Sequence, residues 1–497
     1  MTDPASITDS LAGLFRYDPA NPLIFSSGLF LFLFAGFALV YGLLRRHTSL
    51  RMVYVSLFSV YFYYKTGGIY FFLLLFTATC DYFIARGLSR FVRGRRWLVA
   101  LSVAVNIGML VYFKYTNLLA EIGNGIFGEG FLDFGNIFLP VGISFFVFQS
   151  LSYTIDVYRK RIEPLRNWLD YFFYLSFFPQ LVAGPIVRAR DFIPQIRRIP
   201  TVTREMFGTG VFLIITGLFK KAVISDYISI NFVDRIFDNP LYYSGFENLT
   251  GVWGYALQIY CDFSGYSDMA IGLALLLGFR FNKNFDSPYK SATITEFWRR
   301  WHISLSSWLK DYLYIPLGGN RKGRMRAYGN LMITMLLGGL WHGAALRFIL
   351  WGAMHGAALA VHKAMMSIFS SMKATGAEMG TWWRRALGIF LTFNFVCLGW
   401  IFFRAQSLPT AFDMLGQIFG NFGLRTVPEV MRGYWQIFAL MALGYVLHLL
   451  PDSVEDKARR AVVNSPLVIK AALLAVLIWG VMQIKSSAIQ PFIYFQF

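Results

Sequence analysis

Residues 331–361 read LMITMLLGGLWHGAALRFILWGAMHGAALAV. The run holds one formal charge, Arg347, and two histidines, His342 and His355. About 20 apolar residues suffice for a helix to cross the hydrocarbon core of a bilayer, and this run is longer. An ionisable side chain inside such a run is costly, so its presence points to a function or to a specific partner. The stretch predicts membrane helix with chemistry inside it.

The rest of the chain agrees. Its 497 residues have a mean hydropathy of +0.50 and only 15% charged residues, against roughly 25% in soluble globular proteins. Further apolar blocks fall at 28–44, 52–64, 68–85, 97–113, 136–155, 206–219, 249–278, 386–403, 434–450 and 468–484. The expected fold is all-α: a polytopic integral membrane protein with about 11 transmembrane helices, plus re-entrant and interfacial helices. A β-barrel would show short alternating segments instead. Asp3, Asp9 and Asp18 occupy the place of a basic n-region, so no secretory signal pattern is expected. Cys80, Cys261 and Cys397 lie far apart in apolar blocks and read as small buried hydrophobes, with no metal or disulfide spacing.

The net charge of +19 would fit nucleic acid, but the basic residues sit in short loops between apolar blocks. Arg45, Arg46 and Arg51 fill one such loop. Arg86, Arg90, Arg93, Arg95 and Arg96 fill the next but one, and Arg159, Lys160, Arg161 and Arg166 a third. That alternation sets membrane orientation, with the basic side cytoplasmic. Residues 168–187 are flanked by Arg166 on one side and Arg188 and Arg190 on the other, and Pro179, Gly184 and Pro185 interrupt them. The segment reads as re-entrant, which requires protein or a wet cavity around its irregular backbone. Lys220 and Lys221 break the alternation. Polar or amphipathic loops are expected at 225–248, 279–327, 364–384 and 405–433.

Two of the six histidines follow a tryptophan, in Trp301-His302 and Trp341-His342, where chance would give about 0.16 such pairs. Gly338, Gly339 and Gly343 around His342 admit a second backbone or a substrate. The plainer reading of His342 is a neutral imidazole bonded between helices. His355 would lie on roughly the opposite face of a continuous helix, and with His362 it reads as a packing group. His302 belongs to TEFWRRWHISLSSWLKDYLYIPLGGNRKG, residues 295–323. Glu296, Arg299 and Arg300, at about 2.5–3.5 kcal/mol each at a bilayer centre, argue against a span there. Short interfacial helices are expected, with Trp298, Trp301, Trp308, Tyr312 and Tyr314 at headgroup level. Asp262 and Asp268 interrupt the 249–278 block, where an ion pair to Arg280 or another arginine competes with acid/base work. Two histidines beside broken membrane segments suit general-base activation of a hydroxyl. No serine-hydrolase elbow, P-loop or dinucleotide fingerprint is present.

An ordered series of segments resembles the membrane-bound O-acyltransferase family, most of all its bacterial branch typified by the membrane subunit of alginate O-acetylation. The series is YDPANPLIFSSGLFLFLF (17–34), LPVGISFFVFQSLSYTIDVYR (139–159), FFPQLVAGPIVR (177–188), DFSGYSDMAIGLALLLGF (262–279), EFWRRWHISLSSWLKDYLYIPLGGNRKG (296–323) and NLMITMLLGGLWHGAALRFILWGAMHG (330–356). The resemblance implies one membrane domain over 1–497, with an N-terminal segment 1–27, a family core 28–360 and C-terminal helices 361–497, enclosing a tunnel. It places the family's intramembrane histidine on His342 and its second active-site position on His302. It makes Trp298, Arg299, Arg300, Trp341 and Asp311 candidates for substrate binding. It further implies an acyl-CoA or acyl carrier protein thioester as donor, with no permanently bound cofactor and no metal. The acyl group, most simply acetyl, would pass toward an exported polysaccharide through a periplasmic esterase-like partner at the bacterial inner membrane. Membrane lipid is the other expected partner, and nucleic acid is not one. D-alanyl transfer from a carrier protein is the alternative. A transporter using Asp262, Asp268 and His342 would show inverted repeats, and the sequence has none.

Overall fold

A computed structural model describes residues 13–19, 21–91, 93–128, 130–135, 137–372 and 382–484. Asp3, Asp9 and part of the expected 364–384 loop lie outside them. Among the described residues all regular structure is helical. Several helices start on caps legible in the sequence. Ser244 Oγ accepts from the Glu247 amide at 3.3 Å while Glu247 Oε2 accepts from the Ser244 amide at 2.9 Å, a capping box that opens Gly245–Leu276. Ser27, Asn167, Thr293 and Ser407 cap four more starts.

Among the described residues, four helical runs are long and apolar enough to cross a membrane: Thr48–Arg90, Arg95–Phe127, Arg204–Asp238 and Trp382–Arg404. Two sharply bent pairs, Leu424–Gly433 with Trp435–Leu449 and Asp452–Asn464 with Leu467–Gln483, meet the same length and composition together, and Gly28–Leu44 is a shorter apolar helix. The apolar blocks of the sequence take several forms in the fold. The blocks at 52–64 and 68–85 form the consecutive helices Thr48–Gly67 and Phe71–Arg90, which are separated at Gly68, where φ is 65°. The 136–155 block becomes Ile143–Tyr158, nearly all of it buried in protein, so its hydrophobicity serves the core. The 331–361 run is divided between two helices, Arg324–His342 and Leu346–Met372. The expected loop at 225–248 is helical as far as Asp238, because its acids are paired internally: Asp226 with Lys221 and Asp234 with Arg404.

The described chain divides into two compact units. One takes in residues up to Ile214 with Tyr266–Asn282, the other Ile215–Gly265 with residues from Lys283 on. In the first, the segment read as re-entrant is a helix of nine residues, Trp168–Ser176, followed by a turn at Phe177. At 1.5 Å per residue this reaches about 14 Å, too short to span, and it is buried in protein throughout its second half. Phe178 fills an aromatic nest of Phe25, Phe30, Phe34, Phe37, Phe58 and Phe62. Arg51, read as a loop charge, is buried instead, its guanidinium donating to the carbonyls of Arg45, Ile196 and Arg198.

Asp81 carries no signal in the sequence that sets it apart, yet it organises this unit. It is fully buried and accepts from Ser102 Oγ at 2.5 Å, Asn106 Nδ2 at 2.6 Å and Ser150 Oγ at 2.5 Å, which joins three helices. Ser150 also meets the Tyr171 hydroxyl at 2.6 Å. Removing the shared acceptor strands several buried donors. Asp81→Ala is expected to cost about 3–5 kcal/mol, read as a lowered thermal midpoint of the detergent-solubilised protein, and Asp81→Asn, which keeps an acceptor oxygen, should lose less.

Candidate active site

Both candidate histidines belong to the second unit. His342 is the last residue of Arg324–His342, and the chain turns at Gly343 into Leu346–Met372. Glycines allow the return helix to come close. A side chain at Gly339 or Gly343 would run into the Phe348 backbone or ring, and one at Gly352 would run into the Met335 carbonyl. The glycines around His342 therefore admit a second backbone, the first of the two uses expected. Arg347, the one charge of the run, donates to the Phe403 carbonyl at 2.5 Å.

His342 is buried, with ring centroids of Trp341, Trp351 and Phe403 at 4.9, 5.1 and 5.2 Å. Trp341 also lies 6.2 Å from the ring of His302, so the two histidines flank one indole. The expectation that His355 faces away from His342 fails because the helix is broken between them. Both rings pack on Trp351, His355 at 4.7 Å. His355 reads as a packing group in the structure too, its Nδ1 accepting from Trp298 Nε1 at 3.3 Å. His362 Nδ1 meets Thr295 Oγ1 at 2.8 Å.

His302 joins the short helices Ile294–Arg300 and Ile303–Leu309 and is fully buried. Its φ of 44° and ψ of 56° are left-handed, a conformation uncommon for residues other than glycine, although histidine adopts it more readily than most. Such strain concentrates at functional sites. Asn284 Oδ1 accepts from the Ser304 amide and hydroxyl at 3.1 and 2.9 Å and lies 3.3 Å from His302 Nδ1. An amide oxygen only accepts, so His302 carries its proton on Nδ1 and presents its lone pair at Nε2. Phe263 stands edge-on to the ring at 4.5 Å. Burial pushes the His302 pKa down to about 3, so the imidazole is neutral at ordinary pH.

The other site candidates separate. Trp341 is part of the enclosure, and Trp298 packs on Trp351 and His355. Arg300 is committed to Glu296 at 3.1 Å and to Asp286 at 3.6 Å, whereas Arg299 is exposed. Asp311 is half-buried on the turn Lys310–Tyr314. Trp301, expected at headgroup level, is buried against Phe297 and Trp400. Asp262 pairs with Lys221 at 2.6 Å, a lysine that also holds Asp226 at 2.7 Å. The partner is thus not an arginine, and the same buried ion pairs account for Lys221 spoiling the loop-charge alternation. Asn284, Trp351 and Phe403 join the site without having stood out in the sequence; only Trp351, inside the opening run, lies beside a candidate residue. Among the described residues no cluster of histidine, cysteine and acidic side chains could hold a metal ion.

A buried histidine pair around one indole, with His342 at the break of a helical hairpin, fits an acyltransferase that works within the membrane. The family model for MBOAT, the membrane-bound O-acyltransferase family, matches residues 143–405. The chain belongs to that family and is a multi-pass membrane acyltransferase. It is similar to the probable alginate O-acetylase AlgI of Pseudomonas putida, with 37% identity over 96% of this chain and 100% of the relative. The peptidoglycan O-acetyltransferase of Helicobacter pylori is 36% identical over 81% of each chain. The teichoic acid D-alanyltransferase of Bacillus subtilis is 29% identical over 54% of this chain and 70% of the relative.

A neutral buried His302 has a pH signature. Its folded pKa lies below the unfolded value of about 6.5, so the unfolded state binds the extra proton and stability falls as pH drops from about 6.5 toward 3. His302→Asn tolerates the left-handed backbone and removes the titration. Its thermal midpoint should fall less than that of wild type between pH 7 and pH 5; an equal fall in both would overturn the assignment.

Proposed function

We propose that the protein moves an acyl group, most simply acetyl, from a cytoplasmic thioester toward hydroxyls of an exported polysaccharide at the bacterial inner membrane. The observation that carries this reading is the pair of buried histidines on either side of Trp341, within the family-matched region. His342 acts as general base. It takes the hydroxyl proton as the oxygen attacks the thioester carbonyl, the new C–O bond forms, the C–S bond breaks, and the proton passes to the departing thiolate. Its place in the last turn of a helix favours a positive charge on the imidazolium that forms. His302, held neutral with Nε2 as acceptor, assists by orienting the hydroxyl. Arg299 is the candidate for docking an anionic donor, coenzyme A or a phosphopantetheine carrier, because Arg300 is already paired.

The relatives from Pseudomonas and Helicobacter carry acetyl-transfer names on carbohydrate polymers, which supports acetyl over D-alanyl. A periplasmic esterase-like partner would complete transfer to the glycan.

The test is the acyl content of the exported glycan in cells carrying wild type, His342→Ala or His302→Ala, with membrane level and monodispersity matched. A general base is worth about 10²–10⁴ in rate, so His342→Ala should abolish detectable acylation and His302→Ala should lower it less. Full acylation by a well-folded His342→Ala protein would remove His342 from the chemistry.

A further inference from the structure

The arginine-rich turn at 93–96 does more than set orientation. Arg93, Gly94, Arg95, Arg96 and Tyr158 line a shallow, open pocket on the surface, and no carboxylate is among them. Arg95 is held in place, its Nη2 donating to the Tyr158 carbonyl at 2.9 Å and its guanidinium 5.4 Å from the Tyr158 ring centroid. Its Nε is buried and has no hydrogen-bond partner. Arg93 and Arg96 are exposed on either side. The pocket sits at the start of Arg95–Leu110, whose first turn contains no acid to offset the positive helix end. The exposed guanidiniums of Arg93 and Arg96, beside a helix N-terminus without a counter-charge, offer the kind of donors that a phosphate group takes.

What surrounds the pocket selects the source of that phosphate. Trp97, 69% exposed, carries the Arg96 guanidinium 5.6 Å from its ring centroid, an arrangement suited to the membrane interface. Only 17% of the most apolar window of Arg95–Phe127 is buried in protein. Leu101, Val103 and Ile107 leave that helix exposed, and Phe83 and Phe91 do the same beside it. A ligand with its phosphate among the arginines has apolar surface to lie along. A soluble anion would make no use of it. We infer that this pocket binds the phosphate headgroup of an anionic lipid, with the acyl chains against the exposed apolar face of Arg95–Leu110.

The experiment uses the full-length protein in nanodiscs of mixed phosphatidylglycerol and phosphatidylcholine, with lipid retained after transfer to detergent read by native mass spectrometry. Wild type should retain phosphatidylglycerol in preference to phosphatidylcholine. Arg93→Gln with Arg96→Gln, both exposed positions, should lower that retention about ten- to thirtyfold, at about 1 kcal/mol per arginine near the membrane surface. Arg45→Gln with Arg46→Gln, which removes two exposed charges from another basic loop, should leave retention unchanged. The single Arg93→Gln variant gives the same reading if the double variant is not monodisperse. Equal loss from both loops, no loss from the 93–96 variants, or equal retention of phosphatidylcholine would overturn the inference. Displacement of the lipid by inorganic phosphate would overturn it too, and would make the pocket a site for soluble anions.

Discussion

The histidine site depends on one close contact, the packing of Arg324–His342 against Leu346–Met372. Gly339, Gly343 and Gly352 let the two backbones meet, and any side chain there would strike backbone or the Phe348 ring. The break at 343–345 ends the first helix on His342 and sends the second back so that Trp351 lies against it. A continuous helix would carry His342 and His355 away from each other. With the break, one indole ring contacts both.

The second constraint is the cost of polar groups away from water. Asp81, Arg51 and the Lys221–Asp226–Asp262 cluster are each buried and satisfied by several partners. Such groups are expensive alone and stable when paired, so they tie helices together at fixed points. Asn284 does the same on a smaller scale. By accepting from Ser304 and facing His302 Nδ1 it fixes both the tautomer and the unusual backbone of that residue. A neutral imidazole accepts at one nitrogen only, and here a neighbouring amide oxygen decides which one.

Hydropathy alone does not separate apolar segments that face lipid from those that face protein, because it records how apolar a segment is and not what covers it. Ile143–Tyr158 and the 168–187 segment are apolar because protein surrounds them, whereas Arg95–Phe127 is apolar because little protein does. Charges misled in the same way: Arg51 and Lys221 look like loop charges in the sequence and are interior groups in the fold.

By itself the sequence determined that this is a helical membrane protein with rare ionisable groups in apolar runs, and it singled out His302, His342 and Trp341. Composition, the 331–361 run and the Trp-His pairs carry that information locally. Only the tertiary structure decided that His302 and His342 share the Trp341 indole, that His355 and His342 both pack on Trp351, that Asp262 answers a lysine, and that Asn284 holds His302. Each of these joins residues from different helices or across a chain break, and the distances that decide them exist only once the chain has folded.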